Sequence, residues 1–453
     1  MQNRFSYKIA FIIGLMVFLM IPQTLLEGLI SERISWQHRA EQSILQSWPG
    51  AQTLSGPVIS VPYEVTALVT EKIKGSAESV ITREVTTLET AYLLPTRLVI
   101  HGKLETSLRS RGIYEVPIYS SALHVSGEFS TQALTEIAAT HKDKQIRWKT
   151  PVLSVLVNDQ RGIASSTPLE WNGGPIPFTP GSALPEAGDG MHAKLPTMLG
   201  ESLPFAFDLD LRGMRSVQFA QLAENTDIRL SANWPHPSFC GNLLPEARDI
   251  DSAGFSAQWK TSAFSSNLGS VHEQLQSGHA RQLINRGVGV NLVQPVDVYQ
   301  QTQRCIKYAL LFLILTFGFM VLFELLKATP LHPVQYAFVG FALMIFYLLL
   351  VSLSERISFV WAYAAASTAC TGLLTCYFGS ILRSWKRGLI LGAGLLTLYS
   401  ILYVILQAED NALIMGSVLL FTVLAALMIS TRHFDWYALT GSRTAAAPPA
   451  TEK

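Results

Sequence analysis

IAFIIGLMVFLMIPQTLL, residues 9–26, is an uninterrupted apolar stretch that indicates a membrane-spanning helix. The stretch has eighteen residues and no charge, and a spanning helix needs about 20 predominantly apolar residues. A cleaved signal peptide would have a shorter apolar core and a small-residue cleavage site, whereas this stretch ends in TLLEGLISER (24–33). We therefore expect an uncleaved anchor helix.

Five further charge-free apolar runs lie in the C-terminal third of the chain, at residues 308–323, 333–354, 357–382, 388–408 and 411–431. The flanking Lys307 and Glu324 are expected to extend toward the membrane surfaces. The whole chain is 49% hydrophobic and only 15% charged, against about 25% charged in soluble domains. The sequence thus predicts six transmembrane helices in contact with a lipid bilayer.

The Lys and Arg residues near these runs indicate the orientation of the helices. If the N-terminus is cytoplasmic, the cytoplasmic segments hold nine of them, and the short outer loops hold Arg356 alone. Such loops carry an excess of positive charge on the cytoplasmic side. We expect both termini in the cytoplasm and residues 31–303 in the periplasm, outside the cytoplasmic membrane.

Residues 31–303 have the patterning of a β-rich domain. Apolar residues recur at every second position in 59–69, 205–211, 228–234 and 255–259, which is typical of half-buried strands. The Gly- and Pro-rich stretch 173–195 is predicted to be a loop, and 31–48 to continue the first helix. We predict an α+β membrane protein, with a sandwich-like periplasmic domain inserted between helices one and two.

The predicted organisation has four parts. Residues 1–30 form a cytoplasmic tail and anchor helix, and 31–303 form the periplasmic domain. Residues 304–437 form a bundle of five transmembrane helices, and the polar, Pro-containing residues 438–453 form a disordered cytoplasmic tail.

The sequence contains none of the common catalytic motifs, and we expect a protein that is not an enzyme. The sequence has no G-x-S-x-G elbow, no S-x-x-K set and no H-E-x-x-H motif. His272 and His279 lie two helical turns apart but lack a third ligand, so we expect no metal site and no cofactor. The net charge of +1 argues against nucleic acid as a partner.

A few residues are weak candidates for contacts with a partner or ligand. Arg161 and Arg212 follow strands in predicted turns, where a surface salt bridge is the plainer interpretation. His236 lies four residues before Cys240 in WPHPSFCG (234–241), where a bend between strands is the plainer interpretation. Gly388 and Gly392 form a GxxxG pair that favours close helix packing.

Six phrases in this order resemble the CreD family of bacterial inner membrane proteins. They are SWPGAQTLSGPVISVPY (47–63), RGIYEVPIYSSALHVSGEF (111–129), VNDQRGI (157–163), WPHPSFCGNLLPEARDIDSAGFSAQW (234–259), KYALLFLILTFGFMVLFE (307–324) and HPVQYAFVGFALMIFYLLLVSLSE (332–355). The resemblance implies a product of the CreBC two-component regulon that supports cell-envelope integrity, colicin tolerance and β-lactam stress responses. It implies no catalytic residue.

We therefore expect a non-enzymatic envelope protein that acts through a periplasmic binding domain. Envelope proteins or peptidoglycan components are its expected partners. The sequence also allows the formation of a homo-oligomer. One alternative is a transporter or channel component for a lipid or small envelope precursor, with Thr368, Thr371 and Thr375 along its path. A second alternative is a periplasmic hydrolase with an unfamiliar site.

Overall fold

A computed structural model of the chain describes residues 2–72, 80–196, 200–294, 298–327, 331–407 and 412–432. The chain divides into two compact units. The helical unit comprises Met1–His38 and Val296–Lys453, and the sheet unit comprises Arg39–Pro295. The predicted disordered tail at 438–453 lies outside the described residues.

The sheet unit contains the described strands β1 Gln52–Lys72, β2 Val80–Leu93, β3 Pro95–Arg111, β4 Tyr114–Ser130, β5 Gln145–Trp148, β6 Val152–Leu156, β7 Ile163–Ser166, β8 Leu169–Trp171, β9 Gly174–Ile176, β10 Thr179–Pro180, β11 Gly190–Lys194, β12 Ser202–Met214, β13 Ser216–Ala220, β14 Asn225–Ala232, β15 Pro237–Cys240, β16 Ala247–Ile250, β17 Phe255–Ser262 and β18 Gly287–Leu292.

These strands form two sheets. The first has the order β10-β11-β6-β1-β13-β18-β15, with β2 and β5 also paired to β1. The second has the order β16-β17-β14-β3-β4-β12-β8-β9, with β7 also paired to β12. One apolar core joins residues of both sheets, such as Ile59 and Val61 of β1 with Ile100 of β3 and Val125 of β4. The expected sandwich-like architecture is therefore confirmed.

The period-two patterns correspond to strands whose alternate side chains enter this core. In β12, Phe205, Phe207 and Leu209 are buried, while Asp208 and Asp210 between them are exposed. The stretch 173–195 is not one loop, because β9, β10 and β11 lie within it. These strands are only two to five residues long, too short for a periodic signal to be read from the sequence.

The described helices are α1 Gln2–Leu45, α2 Gln132–Thr140, α3 Ala263–Ser266, α4 Leu268–Gln276, α5 Val298–Lys307, α6 Ala309–Lys327, α7 Pro333–Ser354, α8 Phe359–Ile381, α9 Trp385–Gln407 and α10 Ala412–Thr431. Helix α1 continues beyond the first apolar run to Leu45, as predicted.

Four of these helices are long and apolar enough to cross a membrane, and the bent pair α5–α6 makes up to five. The four are α1, α7, α8 and α9; α5 and α6 meet at 48°. In α10 the apolar part is the shorter segment Ile414–Ala426. The apolar run predicted at 308–323 corresponds to α6. The amphipathic α5 precedes α6, and the two helices meet in a bend at Tyr308.

Glu324, which was expected to extend toward a membrane surface, is held in an ion pair with α1. Its carboxylate accepts from Lys8 Nζ at 2.6 Å and from the Tyr336 hydroxyl at 2.8 Å. Lys8 also donates to the carbonyl of Leu331. Both charged side chains are largely buried, with exposed fractions of 12% and 19%. Pairing removes the cost of an isolated charge in an apolar bundle.

A second ion pair joins α1 to the end of α7, between Arg33 Nε and Glu355 Oε1 at 3.2 Å. Lys8 and Arg33 lie 25 positions apart on α1, which is about 38 Å along a helix. A bilayer with its interfacial regions is about 40–45 Å thick. The two ion pairs therefore bracket a membrane-length segment of α1.

We predict that Lys8→Ala lowers the free energy of unfolding of the helical unit by roughly 3 kcal/mol, because Glu324 would keep a buried charge without its cation. Thermal unfolding of the full chain in detergent measures the effect. The control is the double variant Lys8→Met/Glu324→Met, which removes both charges and should retain most of the stability. Equal losses in the single and double variants would contradict this account.

Candidate functional site

The second sheet carries a band of charged side chains on the side opposite the core. Successive side chains of a strand point to opposite faces. Because Ile100 and Leu104 of β3 are buried, His101 and Lys103 lie on the outer side. The same alternation exposes His124 on β4 and Asp208 on β12. We call these outward residues of β3, β4, β12, β14, β16 and β17 the charged sheet face.

Strand register arranges the charged sheet face in two rows across the sheet. In the first row Asp208 pairs with His124, His124 with His101, and His101 with Arg229. The second row runs in the order Asp210, Ala122, Lys103, Ser231, Ser256 and Asp249. Neighbouring strands lie about 4.8 Å apart, so each row places acidic and basic groups within reach of one ligand.

The charged sheet face is concave. Small side chains, including Ala122 and Ser231, lie between the longer charged ones and leave a depression of about 740 Å³. Arg248 and Asp249 of β16 line it at one edge, and Asp208 and Asp210 line it at the other. This volume lies within the usual range of roughly 300–1,000 Å³ for ligand pockets.

The charges of this face differ in whether they already have partners. Asp208 Oδ1 lies 2.7 Å from His124 Nδ1, and Asp210 accepts from the Ser165 hydroxyl at 2.5 Å. In contrast, Lys103 and His101 make no ion pair or side-chain hydrogen bond with any described residue. An ammonium group and an imidazole ring therefore remain available to a ligand at the centre of the depression.

Arg229 is held in place by its own strand. Its guanidinium contacts Asp227 Oδ2 at 3.1 Å, and Gln258 donates to Asp227 Oδ1 at 2.8 Å. Partial burial would raise the pKa of Asp227, but the hydrogen bonds from Gln258 and Arg229 outweigh burial and lower it. Asp227 thus stays ionised and orients Arg229, whose side chain is still 57% exposed.

The described side chains of the face complete neither a catalytic triad nor a metal site. The His124–Asp208 pair has the chemistry of two members of a catalytic triad, but no hydroxyl or thiol nucleophile bonds to the imidazole among the described residues. Within the same residues, no three His, Cys, Asp or Glu side chains are grouped so as to hold a metal ion.

Arg161, one of the predicted contact residues, binds the end of α1. Its guanidinium donates to the carbonyls of Leu45 and Gln46 at 3.2 and 3.1 Å and pairs with Asp159 at 2.7 Å. Hydrogen bonds from Arg161 outweigh the desolvation of Asp159 and lower the pKa of that carboxyl. The last carbonyls of a helix have no partner within the helix, and Arg161 supplies one.

Arg212 lies on the same side of β12 as Asp210, one row beyond the charged sheet face. Its guanidinium lies over the ring of Trp48 at 5.8 Å, and Trp48 Nε1 donates to the carbonyl of Gly213 at 3.0 Å. Arg215 pairs with Glu41 at 2.9 Å. Arg161, Arg212 and Arg215 therefore all contact the last turns of α1 or the residues just after it.

His236 is exposed and lies beside the first sheet, away from the strands of the charged sheet face. Its carbonyl accepts from the Val293 amide at 3.3 Å. Four residues on, the Cys240 thiol lies 3.6 Å from Asn291 Oδ1, and partial burial raises the pKa of that thiol. No hydrogen bond among the described residues joins the His236 and Cys240 side chains.

Gly388 and Gly392 of α9 lie against α8. A Cβ added to Gly388 would be 2.7 Å from the Cα of Gly379, and one added to Gly392 would overlap the Thr375 hydroxyl. The two helix backbones therefore approach closely at these positions, as small residues permit.

The sequence search missed the charged sheet face. Its only local sign in the sequence is a His, Lys, Arg or Asp placed between two apolar residues of a strand, and this pattern occurs in several strands. Asp208 and Asp210 fit this pattern, but nothing local aligns them with His101 and Lys103, more than a hundred positions earlier.

Comparison with known proteins shows the family relationships of the chain. The sequence profile of a family described as inner membrane protein CreD matches residues 4–437. The inner membrane protein CreD of Escherichia coli (strain K12) is 33% identical over 443 residues, which cover 97% of this chain and 95% of that protein.

The chain also aligns weakly with solved peptidase structures. An M1 zinc metallopeptidase from Deinococcus radiodurans aligns at a TM-score of 0.19 with 10% identity, over 37% of this chain and 39% of that one. Yeast LTA4 hydrolase in complex with bestatin aligns at 0.19 with 6% identity, over 48% and 34%. The chain thus spans well under half of either structure, and alignments this weak support no statement about its fold or activity.

We predict that Arg161→Ala loosens the end of α1. Because the Arg161 side chain is 54% exposed, solvent screens its contacts, and we expect amide exchange to become faster by a few-fold at most. Hydrogen exchange at residues 42–46 of the full chain measures it. Arg229→Ala is the control, because its aspartate partner lies on its own strand. Unchanged exchange in Arg161→Ala would contradict the capping role.

We also predict opposite effects for two glycine substitutions in the helical unit. Gly388→Ala should lower the melting temperature, because the new methyl group would overlap the backbone of α8. Gly372→Ala should leave it unchanged or raise it slightly, since nothing lies within 4 Å of that position and Ala favours a helix by about 1 kcal/mol. Thermal unfolding in detergent measures both, and equal shifts would argue against close α8–α9 packing.

Proposed function

The chain belongs to the CreD family of inner membrane proteins, and on that premise we propose that it supports cell-envelope integrity and tolerance of envelope stress. In this proposal it acts without catalysis, by binding an envelope component through its sheet unit. The charged sheet face is the observation that carries the proposal, because it presents the unpartnered Lys103 ammonium and the exposed guanidinium of Arg229 in a ligand-sized depression.

The proposed topology has six transmembrane helices, with both termini in the cytoplasm and residues 31–303 in the periplasm. The excess of Lys and Arg in one set of loops supports this orientation. The spacing of the two ion pairs on α1 supports a span in which Lys8 and Arg33 lie near opposite membrane surfaces. Helix α10 would supply the sixth span.

The charge pattern of the face suggests the kind of ligand. Lys103 and Arg229 at the centre suit carboxylates, and the aspartates at the two edges suit ammonium groups. A peptide that carries both kinds of group matches this arrangement. The stem peptides of peptidoglycan have this chemistry and are present in the periplasm, so we propose peptidoglycan as the bound component.

The two alternative functions have less support. By their spacing Thr368, Thr371 and Thr375 lie on one side of α8, but Thr368 is exposed and Thr371 is buried, so they do not line one enclosed path. Thr375 bonds the carbonyl of Thr371 at 2.7 Å and lies against Gly392. Hydrolysis would need a nucleophile beside His124, and the described hydrogen bonds supply none.

We predict that the double variant Lys103→Ala/Arg229→Ala fails to restore envelope function. Each lost charge-assisted contact should weaken binding by about tenfold or more. A strain lacking the protein is scored for sensitivity to detergent and β-lactam, and cosedimentation of the purified full chain with peptidoglycan measures binding directly.

The matched control is Arg83→Ala/Lys142→Ala, which removes the same charge from exposed positions outside the face. It should restore tolerance and sediment with peptidoglycan like the unmodified protein. If both double variants behave alike at equal protein levels, the face is not the binding site. If the face variant fails to restore tolerance yet sediments normally, peptidoglycan is not the ligand.

A further inference from the structure

Two buried tyrosine hydroxyls in the helical unit have no hydrogen-bond partner. Tyr347 of α7 and Tyr399 of α9 are each 1% exposed, and their hydroxyls meet no acceptor or donor among the described residues. A buried polar group without a partner is costly, and more so in a membrane protein, where apolar lipid surrounds the bundle. An unpaired hydroxyl in a native structure therefore points to an occupant such as water or a ligand.

The two hydroxyl-bearing side chains belong to one cluster. The ring of Phe346 contacts Tyr399 at 4.7 Å, Tyr363 at 5.5 Å and Tyr347 at 5.0 Å. Cys305 of α5 is buried in the same apolar core as these side chains, and α5 contacts both α7 and α9. We call these five residues the tyrosine cluster.

A further unpaired group lies on the same face of α5 as Cys305. The side-chain oxygen of Gln301, one helical turn before Cys305, is buried and has no partner among the described residues. Gln301 and the tyrosine cluster together offer two phenol hydroxyls, an amide oxygen and a thiol. All are neutral, so they suit a neutral hydrogen-bonding group and not an ion.

The Lys8–Glu324 cluster of the helical unit provides a contrast. The buried Lys8 ammonium bonds Glu324 and the Leu331 carbonyl, and Glu324 also accepts from Tyr336. That cluster satisfies itself and leaves nothing for a ligand. Tyr363 is likewise satisfied, since its hydroxyl donates to the Tyr399 carbonyl at 2.7 Å.

The position of the cluster along the helices limits what can reach it. Tyr347 lies seven residues before the end of α7, Tyr363 four after the start of α8, and Tyr399 eight before the end of α9. These offsets place the cluster about 6–12 Å inside one end of the helices. Water and the glycerol-ester region of a lipid are the neutral hydrogen-bonding groups available at that depth.

We propose that the tyrosine cluster is a binding site for a neutral hydrogen-bonding group, supplied by ordered water or by a lipid ester. The hydroxyls of Tyr347 and Tyr399 donate to this occupant, and a bound water would also donate to Gln301 Oε1. The site is independent of the charged sheet face and of the function proposed for it.

The sign of a stability change tests the proposal. In the full chain in lipid nanodiscs, Tyr347→Phe and Tyr399→Phe should each lower the melting temperature by about 2–4 °C, because the occupant loses a partner. If the hydroxyls are simply unpaired, the same changes should leave the melting temperature unchanged or raise it. Tyr363→Phe is the positive control, since it removes a hydrogen bond present in either case.

Two further arms identify the source of the occupant. Repeating the melts in lipid-free detergent should abolish the effect if a lipid ester is bound and preserve it if water is bound. Radiolytic hydroxyl-radical labelling of the unmodified protein should oxidise Tyr347 and Tyr399 faster than the internal reference Tyr119 if water is bound. Tyr119 is equally buried, but its hydroxyl already donates to the Ser216 carbonyl at 2.8 Å.

The proposal is overturned if both Phe variants melt at or above the temperature of the unmodified protein in nanodiscs. Should the variants fail to assemble, labelling of the unmodified protein in nanodiscs and in lipid-free detergent decides. Oxidation of Tyr347 and Tyr399 faster than Tyr119 in either medium supports the site, because detergent removes a bound lipid and leaves the hydroxyls to water. Oxidation no faster than Tyr119 in both media overturns it.

Discussion

Cross-strand pairing in the second sheet is the constraint on which the charged sheet face depends. β4 lies between β3 and β12 in a register that sets His124 beside both His101 and Asp208. A slip of one residue would turn these side chains into the core and expose the apolar set. The buried Ile100 and Val125 oppose such a slip. Apolar packing on one side of the sheet therefore holds the charges together on the other.

The rigidity of the second sheet also explains how several basic side chains can remain close together at the centre of the face. Arg229 lies beside His101, and Lys103 lies in the next row. These groups do not attract one another, and they would separate on a flexible loop. A strand whose inner residues are buried has no such freedom. A rigid sheet can thus present unpaired charge to a ligand at little additional cost.

In the helical unit, polar groups are important because water is scarce there. Lys8 and Glu324 satisfy each other and fix the contact between α1 and α6. Tyr347 and Tyr399 remain unsatisfied within a bundle that is otherwise packed with apolar side chains. One physical rule, that a buried polar group needs a partner, therefore identifies a structural contact in the first case and a ligand site in the second.

The sequence alone determined the apolar helices, the strand-rich character of the inserted segment and the resemblance to the CreD family. Each follows from local periodicity, from the length of apolar runs or from short sequence motifs, all of which can be read directly from one sequence. Arg161 and Arg212 were recognised as residues of interest, but only the tertiary structure placed Arg161 at the last carbonyls of α1 and Arg212 over Trp48. Likewise, Lys8 and Glu324 are over three hundred positions apart, and no local pattern predicts their pairing. Register between distant strands and contact between distant helices follow from how whole apolar surfaces pack, and that information is distributed over the entire chain.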